Sequence, residues 1–375
     1  MLYLDHAATT PVKPEALKAA WPYLTEEFGN PSSVHEAGLR AKAALDWARE
    51  TCAGFLGCHP EEIYFTSGGT EANNLAIKGI ALANPRGRHI VSSPTEHEAV
   101  LECLSYLERF HGFEITLLPV SATGLISSDD LRAALRPDTT MLTLMLANNE
   151  IGTVAGISEF AGIARELGVP VHTDAVQAVG WLPLNVTQLG VQALSLSGHK
   201  FGAPKGSGLL YLSSATEAEP VIHGGGQEKG LRSGTQNVAW AVALGVALQT
   251  LNHNAREVAA VTERFIARVL EEFPQSRLTG PGPASGDRHP AIASFTFDGL
   301  NGETLLLELE NAGVTCSSGS ACAAGSDEPS HVLRALGLPE DTCRTAVRFS
   351  FGHDASEEQA ETALAALHQA MQRLG

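Results

Sequence analysis

Residues 193–212 read ALSLSGHKFGAPKGSGLLYL: an apolar strand-like run, a polar turn that contains Lys200, and a second apolar run at Leu209–Leu212. A lysine on a connecting loop is usually a solvated surface charge. At the end of a buried strand, however, a lysine amine can act as a nucleophile that forms Schiff bases with carbonyl compounds. The rest of the chain decides between these two interpretations.

Similar apolar runs recur along the first two thirds of the chain and alternate with helical patterns. This alternation, with continuous apolar strands, predicts an α/β fold with a mainly parallel sheet covered on both faces. Ligands bind such sheets at the carboxyl ends of the strands. The predicted strands are Ile63–Thr66, His89–Ser92, Glu114–Val120, Met141–Ala147, Val169–Thr173, Ala193–Leu196 and Leu209–Leu212.

The pattern changes after about Leu251, where a long helical stretch leads to a Pro/Gly/Ser-rich loop at 280–286 and then to shorter mixed elements. We therefore expect a large domain over residues 13–255 that carries the main sheet. Residues 1–12 and 256–375 are expected to form a smaller α+β domain.

Two capping boxes mark predicted helix starts. Ser33-x-x-Glu36 predicts a helix that runs to about Phe55, and Ser356-x-x-Gln359 predicts the last helix of the chain. In the last helix, Leu364, Leu367, Met371 and Leu374 fall on one stripe, which is typical of a core-facing surface.

Charge and cysteine content exclude several classes of function. The 375 residues include 25 Lys plus Arg against 42 Asp plus Glu, a net charge of −17, which disfavours binding to nucleic acids or anionic membranes. No apolar run approaches the roughly 18–20 residues of a membrane span, and no signal peptide is visible, so a cytoplasmic location is expected. The six cysteines form no CxxC pair and no zinc-like spacing, so no metal site is expected.

The segment Thr66-Ser67-Gly68-Gly69-Thr70-Glu71 follows a predicted strand and opens a predicted helix. Glycines let the backbone approach an anion, and the free amides at a helix start favour phosphate. The segment matches neither a dinucleotide fingerprint nor a Walker A loop. It is either a phosphate-binding turn or an ordinary glycine turn.

Asp174 closes another predicted strand, and Gln177 follows three residues later. In enzymes that use pyridoxal phosphate (PLP), a carboxylate can keep the pyridine nitrogen protonated, which makes the ring an electron sink. Alone, Asp174 could equally cap a helix. Together with Lys200 and the Thr70 turn, at two further strand ends, it predicts a PLP site.

Three more side chains are candidates for the same site. His97 follows the strand that ends at Ser92 and could stack on a flat ring and move protons. Asn149 could hold a carboxylate or a ring oxygen, or merely cap a turn. Arg348, inside a predicted strand, either forks onto a substrate carboxylate or forms a structural ion pair.

Cys322 lies in a run of small and polar residues, Ser317-Ser318-Gly319-Ser320-Ala321-Cys322-Ala323-Ala324-Gly325. Such a composition favours an exposed loop and suits a thiol that must move, whereas inert cysteines usually lie among large apolar residues. A redox pair of Cys316 and Cys322 is an alternative, but the spacing is not thioredoxin-like.

In combination, these motifs resemble those of a known family. The chain is similar to the PLP-dependent cysteine desulfurases of the NifS/IscS type, in the class V aminotransferase group, and the resemblance extends from end to end. It implies the PLP-dependent transferase fold type I. The matching stretches are Tyr3–Pro11, Phe28–Ser33, Phe65–Asn74, Thr95–His97, Asn148–Gly152, Asp174–Gln177, Ser197–Lys200, Gly224–Thr235 and Ser317–Cys322.

The resemblance also implies roles for individual residues. Lys200 would bind PLP covalently, His97 would stack on the ring and move protons, and Cys322 would accept the sulfur. The other cofactor contacts would be Gly69, Thr70, Asn149, Asp174, Gln177, Ser197, His199 and Thr235 of the partner subunit. The substrate carboxylate would contact Asn30, Asn149 and Arg348.

The implied activity is the conversion of L-cysteine to L-alanine, with the sulfur passing to Cys322 as a persulfide. The implied protein is a cytoplasmic homodimer that delivers sulfur to a protein acceptor, for iron–sulfur cluster assembly or for tRNA or cofactor thiolation. No resident metal is implied, although Cys322 could bind an iron–sulfur cluster transiently. The alternative is a selenocysteine or cystine lyase, or an aminotransferase, of the same fold; these reactions need no protein thiol.

Overall fold

The computed structural model describes residues 1–83, 86–319 and 328–374. The strands are β1 (Leu2–Tyr3), β2 (Ile63–Thr66), β3 (His89–Ser92), β4 (Glu114–Leu117), β5 (Thr139–Thr143), β6 (Val171–Asp174), β7 (Ala193–Ser197), β8 (Gly208–Leu212), β9 (Ser276–Leu278), β10 (Ile292–Phe297), β11 (Val314–Thr315) and β12 (Ala346–Ser350). The helices are α1 (Pro14–Thr25), α2 (Glu36–Leu56), α3 (Gly69–Ala83), α4 (Glu98–His111), α5 (Ser128–Ala134), α6 (Ile157–Glu166), α7 (Val186–Leu189), α8 (Val238–Gln249), α9 (Ala255–Glu272), α10 (Gly302–Asn311), α11 (His331–Ala335), α12 (Glu340–Cys343) and α13 (Glu357–Leu374). Within the described part of the chain, no helix is both long enough and apolar enough to cross a membrane.

A seven-stranded sheet organises the first two thirds of the chain, in the order β2-β8-β7-β6-β5-β3-β4. The strands from β7 to β4 run parallel, whereas β8 is antiparallel to both β7 and β2. Every residue of β5, β6 and β7 is buried, which explains their continuous apolar patterns, because helices cover both faces. The predicted α/β fold with a mainly parallel sheet is confirmed.

The carboxyl ends of three strands bring the candidate residues to one edge of this sheet. β6 ends at Asp174, and β7 ends at Ser197, where a single 3-10 turn, Gly198–Lys200, carries the lysine. β2 is antiparallel to β8, which is antiparallel to β7, so β2 runs with β7 and ends at the same edge. Helix α3 begins at Gly69, three residues after this end, and directs its amino terminus towards the edge.

A second, antiparallel sheet of order β12-β10-β9 is formed by the carboxyl-terminal third of the chain. Its core packs aromatic rings such as Phe265, Phe295 and Phe349 edge to face. The amino terminus joins this region, since β1 pairs in parallel with β11 and Leu4 is buried in the same core. The domain boundaries given above stay a prediction.

The two predicted capping boxes have different outcomes. At the last helix the predicted cap is present, since Ser356 Oγ accepts a hydrogen bond from Gln359 N at 3.3 Å; the Gln359 side chain donates to Asp354 Oδ2 at 3.4 Å, where a capping box would have it bond Ser356 N. The helix predicted to run to about Phe55 is present as α2, but its predicted cap at Ser33 is wrong: α2 is capped instead by His35, whose ring Nδ1 accepts from Gly38 N at 3.3 Å. An imidazole nitrogen can accept from a helix-start amide in the same way as a hydroxyl, so the helix begins one residue after His35.

Candidate active site

A cavity of about 400 Å³ opens at the carboxyl ends of β6 and β7. Ten of its lining residues were predicted from the sequence: Gly69, Thr70, His97, Asn149, Asp174, Gln177, Ser197, His199, Lys200 and Arg348. The lining residues that sequence reasoning missed are Ala7, Ala8, Asn73, Met145, Val176 and Gly319. Side chains separated by more than two hundred residues therefore converge on one space.

Asp174 is buried and has two hydrogen-bond donors. Asn73 Nδ2 donates to its Oδ2 at 2.6 Å, and the backbone N–H of Val176 donates to its Oδ1 at 2.9 Å. These bonds fix the plane of the carboxylate at the cavity wall. Asn73 had a signal in the sequence, because it is a polar residue on the apolar inner face of α3.

The amino group of Lys200 lies between two backbone carbonyls. Nζ donates to Ala7 O at 2.6 Å and to Ala8 O at 3.0 Å. The side-chain amide of Gln177 also donates to Ala7 O, at 2.9 Å. The amino-terminal segment thus forms a wall of the cavity that orients the lysine.

One end of the cavity offers groups suited to an anion. Gly69 at the start of α3, Thr70 and Ser197 supply backbone amides and hydroxyls there. A Cβ at Gly69 would lie 2.8 Å from Val176 Cγ2 and 3.3 Å from Ser197 Cβ, so any larger residue would force these side chains to shift. His199 completes this end: burial, aided by the charges of Lys200 and Lys205, lowers its pKa to about 4, and the imidazole is therefore neutral near pH 7.

His97 caps helix α4, and this contact defines its tautomer. Its Nδ1 accepts from the backbone N–H of Ala99 at 3.0 Å, so the neutral ring carries its proton on Nε2. The preceding residue, Glu96, is also buried, and its Oε1 accepts from Met145 N at 2.9 Å. Burial, reinforced by the charge of Asp174, raises the pKa of Glu96 well above its ordinary value.

Arg348 forms a structural ion pair, one of the two alternatives left open above. Its Nη2 donates to Asp5 Oδ1 at 2.6 Å, and its Nη1 donates to the carbonyls of Asn149 at 2.8 Å and Gly319 at 3.2 Å. The guanidinium nevertheless lines the cavity, and its buried Nε has no hydrogen-bond partner among the described residues. Its predicted contact with a substrate carboxylate stays a prediction.

Three predicted residues do not line this cavity in the described chain. Asn30 lies in an exposed turn, where its Oδ1 accepts from Ser32 N at 2.9 Å. Thr235 is exposed and lines a different cavity beside Arg232. Cys322 lies outside the described residues. The predicted roles of all three remain predictions.

The described residues also bear on the metal and redox predictions. No group of three His, Cys, Asp or Glu side chains within residues 1–83, 86–319 and 328–374 could hold a metal ion. Burial, together with the charge of Asp5, raises the pKa of the Cys316 thiol strongly. A thiol with a raised pKa is a poor nucleophile, which disfavours a redox pair built on Cys316.

Comparisons with known proteins agree along the whole chain. A family model for class-V aminotransferases matches residues 2–362. The chain is 45% identical to "Cysteine desulfurase IscS" of Dictyoglomus turgidum over 100% of this chain and 95% of that protein, and 43% identical to "Cysteine desulfurase IscS" of Methanosarcina thermophila over 100% and 92%. Among solved structures, one titled "NIFS-LIKE PROTEIN" has a TM-score of 0.90 at 33% identity, covering 99% of each chain. Another, "SspA in complex with cysteine", has a TM-score of 0.82 at 37% identity, covering 94% of this chain and 99% of that one.

Proposed function

The chain belongs to the class-V aminotransferase family, and on that premise we propose that it is a PLP-dependent cysteine desulfurase. It converts L-cysteine to L-alanine and passes the sulfur to its own Cys322. The observation that carries this proposal is the convergence of Lys200, Asp174 and the start of α3 on one cavity. We infer the substrate from relatives named cysteine desulfurase, to which this chain is similar over its whole length.

The residues present fit PLP. The close approach of Val176 and Ser197 to Gly69 leaves a cradle that a Cβ would fill, and the amides of α3 with the hydroxyls of Thr70 and Ser197 suit a phosphate. The buried Asp174 carboxylate suits a pyridinium nitrogen, and Lys200 suits the aldehyde carbon. When bound, PLP supplies an electron sink for the electrons released as the substrate loses its α-proton.

The chain's own residues then bind the substrate and move its protons. Lys200 Nζ, oriented by the carbonyls of Ala7 and Ala8, takes the α-proton of L-cysteine. His97, which carries its ring proton on Nε2, would pack against the PLP ring and move protons to and from the substrate. Arg348 and Asn149 hold the substrate carboxylate. Asn30, which lies in an exposed turn, is proposed as a further contact to the same carboxylate.

The sulfur atom is transferred from the substrate to a thiol of the enzyme. The Cys322 thiolate attacks the substrate sulfur, and a new S–S bond forms as the C–S bond breaks. The electron pair of the C–S bond stays with the carbon skeleton, whose β-carbon takes up a proton, and the skeleton departs as L-alanine. The persulfide sulfur then passes to a protein acceptor of iron–sulfur cluster assembly or of tRNA or cofactor thiolation. We propose that the enzyme acts in the cytoplasm.

A single experiment tests the activity. The purified protein should be yellow with bound PLP and should release L-alanine and sulfide from L-cysteine in equal amounts when a thiol reductant is present. D-Cysteine is the matched control and should give neither product. Colourless protein, or amino transfer to an added keto acid without release of sulfide, would refute a cysteine desulfurase and favour the aminotransferase alternative.

The functional unit is a homodimer. Thr235 is exposed and outside the Lys200 cavity, while Thr70 at the anion end of that cavity is also exposed, so Thr235 of the partner subunit can complete the phosphate site.

Large apolar side chains near α1 are uncovered as well: Trp21, Phe28 and Val34 are 59%, 77% and 93% exposed. Light scattering should therefore give twice the chain mass of 39.5 kDa. A monomer that retains full desulfurase activity would contradict this proposal.

A further inference from the structure

The amino-terminal segment contacts His199 through two consecutive threonines. Thr9 Oγ1 lies 3.1 Å from His199 Nδ1. The backbone N–H and the hydroxyl of Thr10 both donate to the carbonyl of His199, at 2.9 and 2.8 Å. Thr9 is held from its other side by Tyr3, whose hydroxyl donates to the Thr9 carbonyl at 3.0 Å. The Thr9 hydroxyl is therefore fixed against one nitrogen of the imidazole.

The protonation of His199 limits what its ring can do at the anion end of the cavity. With its pKa lowered to about 4 by burial, the ring is neutral near pH 7 and carries a single N–H. Nδ1 faces Thr9, so Nε2 is the nitrogen left to meet an anion. A phosphate group accepts hydrogen bonds at its oxygens, and an unprotonated Nε2 would oppose a lone pair to its negative charge.

We propose that Thr9 is a positioning residue that sets the tautomer of His199. The Thr9 hydroxyl donates to Nδ1, the ring proton therefore resides on Nε2, and Nε2–H donates to the phosphate of PLP. This inference rests on the proposed function, since it assigns a further determinant of the same cofactor site. The positive charges of Lys200 and Lys205 disfavour a second ring proton, so His199 keeps a single N–H whose position the Thr9 contact can set.

Pyridoxal, which lacks the phosphate, isolates the effect of Thr9. Both ligands can react with Lys200, so only the phosphate contacts distinguish them. In titrations of the cofactor-free enzyme followed by absorbance, Thr9→Val should weaken PLP binding by about tenfold, the loss expected for one hydrogen bond to a charged group. Pyridoxal binding by Thr9→Val should stay within about twofold of the wild type.

Two further variants separate positioning from mere folding. Thr9→Ser keeps the hydroxyl and should bind PLP within about threefold of the wild type. Thr10→Val is the matched neighbour, because the Thr10 hydroxyl contacts the His199 backbone and not the ring. This variant should change the affinities for PLP and for pyridoxal by the same factor. An equal loss of both ligands in Thr9→Val, no loss of PLP, or failure of Thr9→Ser to restore binding would each overturn the inference. A wild-type enzyme that binds no PLP would instead overturn the proposed function, and this inference with it.

Discussion

Lys200→Ala should lose the yellow colour and lower the rate of alanine and sulfide formation from L-cysteine by about 10⁴-fold, the upper range for loss of an acid–base group. The variant removes the only amine among the residues that line the described cavity, and with it both the covalent attachment of PLP and the group that takes the α-proton. Absorbance spectra and a coupled assay for alanine measure the two losses independently.

The control for this variant is another lysine outside the cavity. Lys78 lies on α3, with its Nζ 4.2 Å from the centre of the Tyr106 ring, and contributes nothing to the Lys200 cavity. Lys78→Ala should keep its colour and a rate within about twofold of the wild type, because a cation–π contact of this kind contributes about 1 kcal/mol to folding and none to the chemistry. A Lys200→Ala protein that remains yellow and active, with an unchanged circular dichroism spectrum, would remove Lys200 from the mechanism.

The part of the fold predicted from the sequence is the part with a clear pattern. Strands β5, β6 and β7 are buried on both faces, so their continuous apolar runs stand out against the helices between them. Helix α8 was missed because it is buried on nearly every side, against α1 and α2, and therefore shows no apolar stripe. Periodicity identifies a helix only when one of its faces meets water.

The same distinction applies to the candidate site. Asp174, Ser197 and Lys200 were predictable because each polar residue lies at or just beyond the end of an apolar strand, and strand ends meet at one edge. The wall formed by Ala7 and Ala8 was not predictable, because it consists of backbone carbonyls, which every residue carries.

The pairing of Asp5 with Arg348 shows a second limit of sequence reasoning. The two residues are separated by 343 positions, and no local pattern links them. Only the packing of the amino terminus against the second sheet, through β1 and β11, brings the carboxylate to the guanidinium. Long-range pairs of this kind follow from the fold and not from any stretch of sequence.

Cys322→Ala should keep its colour and its affinity for L-cysteine but lower the formation of alanine and sulfide by more than about 10³-fold, as expected when a nucleophile is removed. The cavity residues that hold PLP are unchanged in this variant, so a spectral change on adding L-cysteine should persist. Mass spectrometry should detect a persulfide on Cys322 in the wild type and none in the variant. The combination of normal binding and blocked turnover is what separates a sulfur acceptor from a residue that merely supports the fold.

Cys316→Ser provides the matched control, because Cys316 lies six residues earlier in the same region of the sequence. Burial raises the pKa of its thiol, so it is a poor nucleophile, and its replacement should leave the rate per folded enzyme within about threefold. Undiminished sulfide and alanine from Cys322→Ala would show that the sulfur leaves without a protein thiol, as in a lyase. Loss of turnover in both variants would instead favour the pairing of the two cysteines. The proposed desulfurase requires that only Cys322→Ala loses turnover, because its mechanism uses a single thiolate.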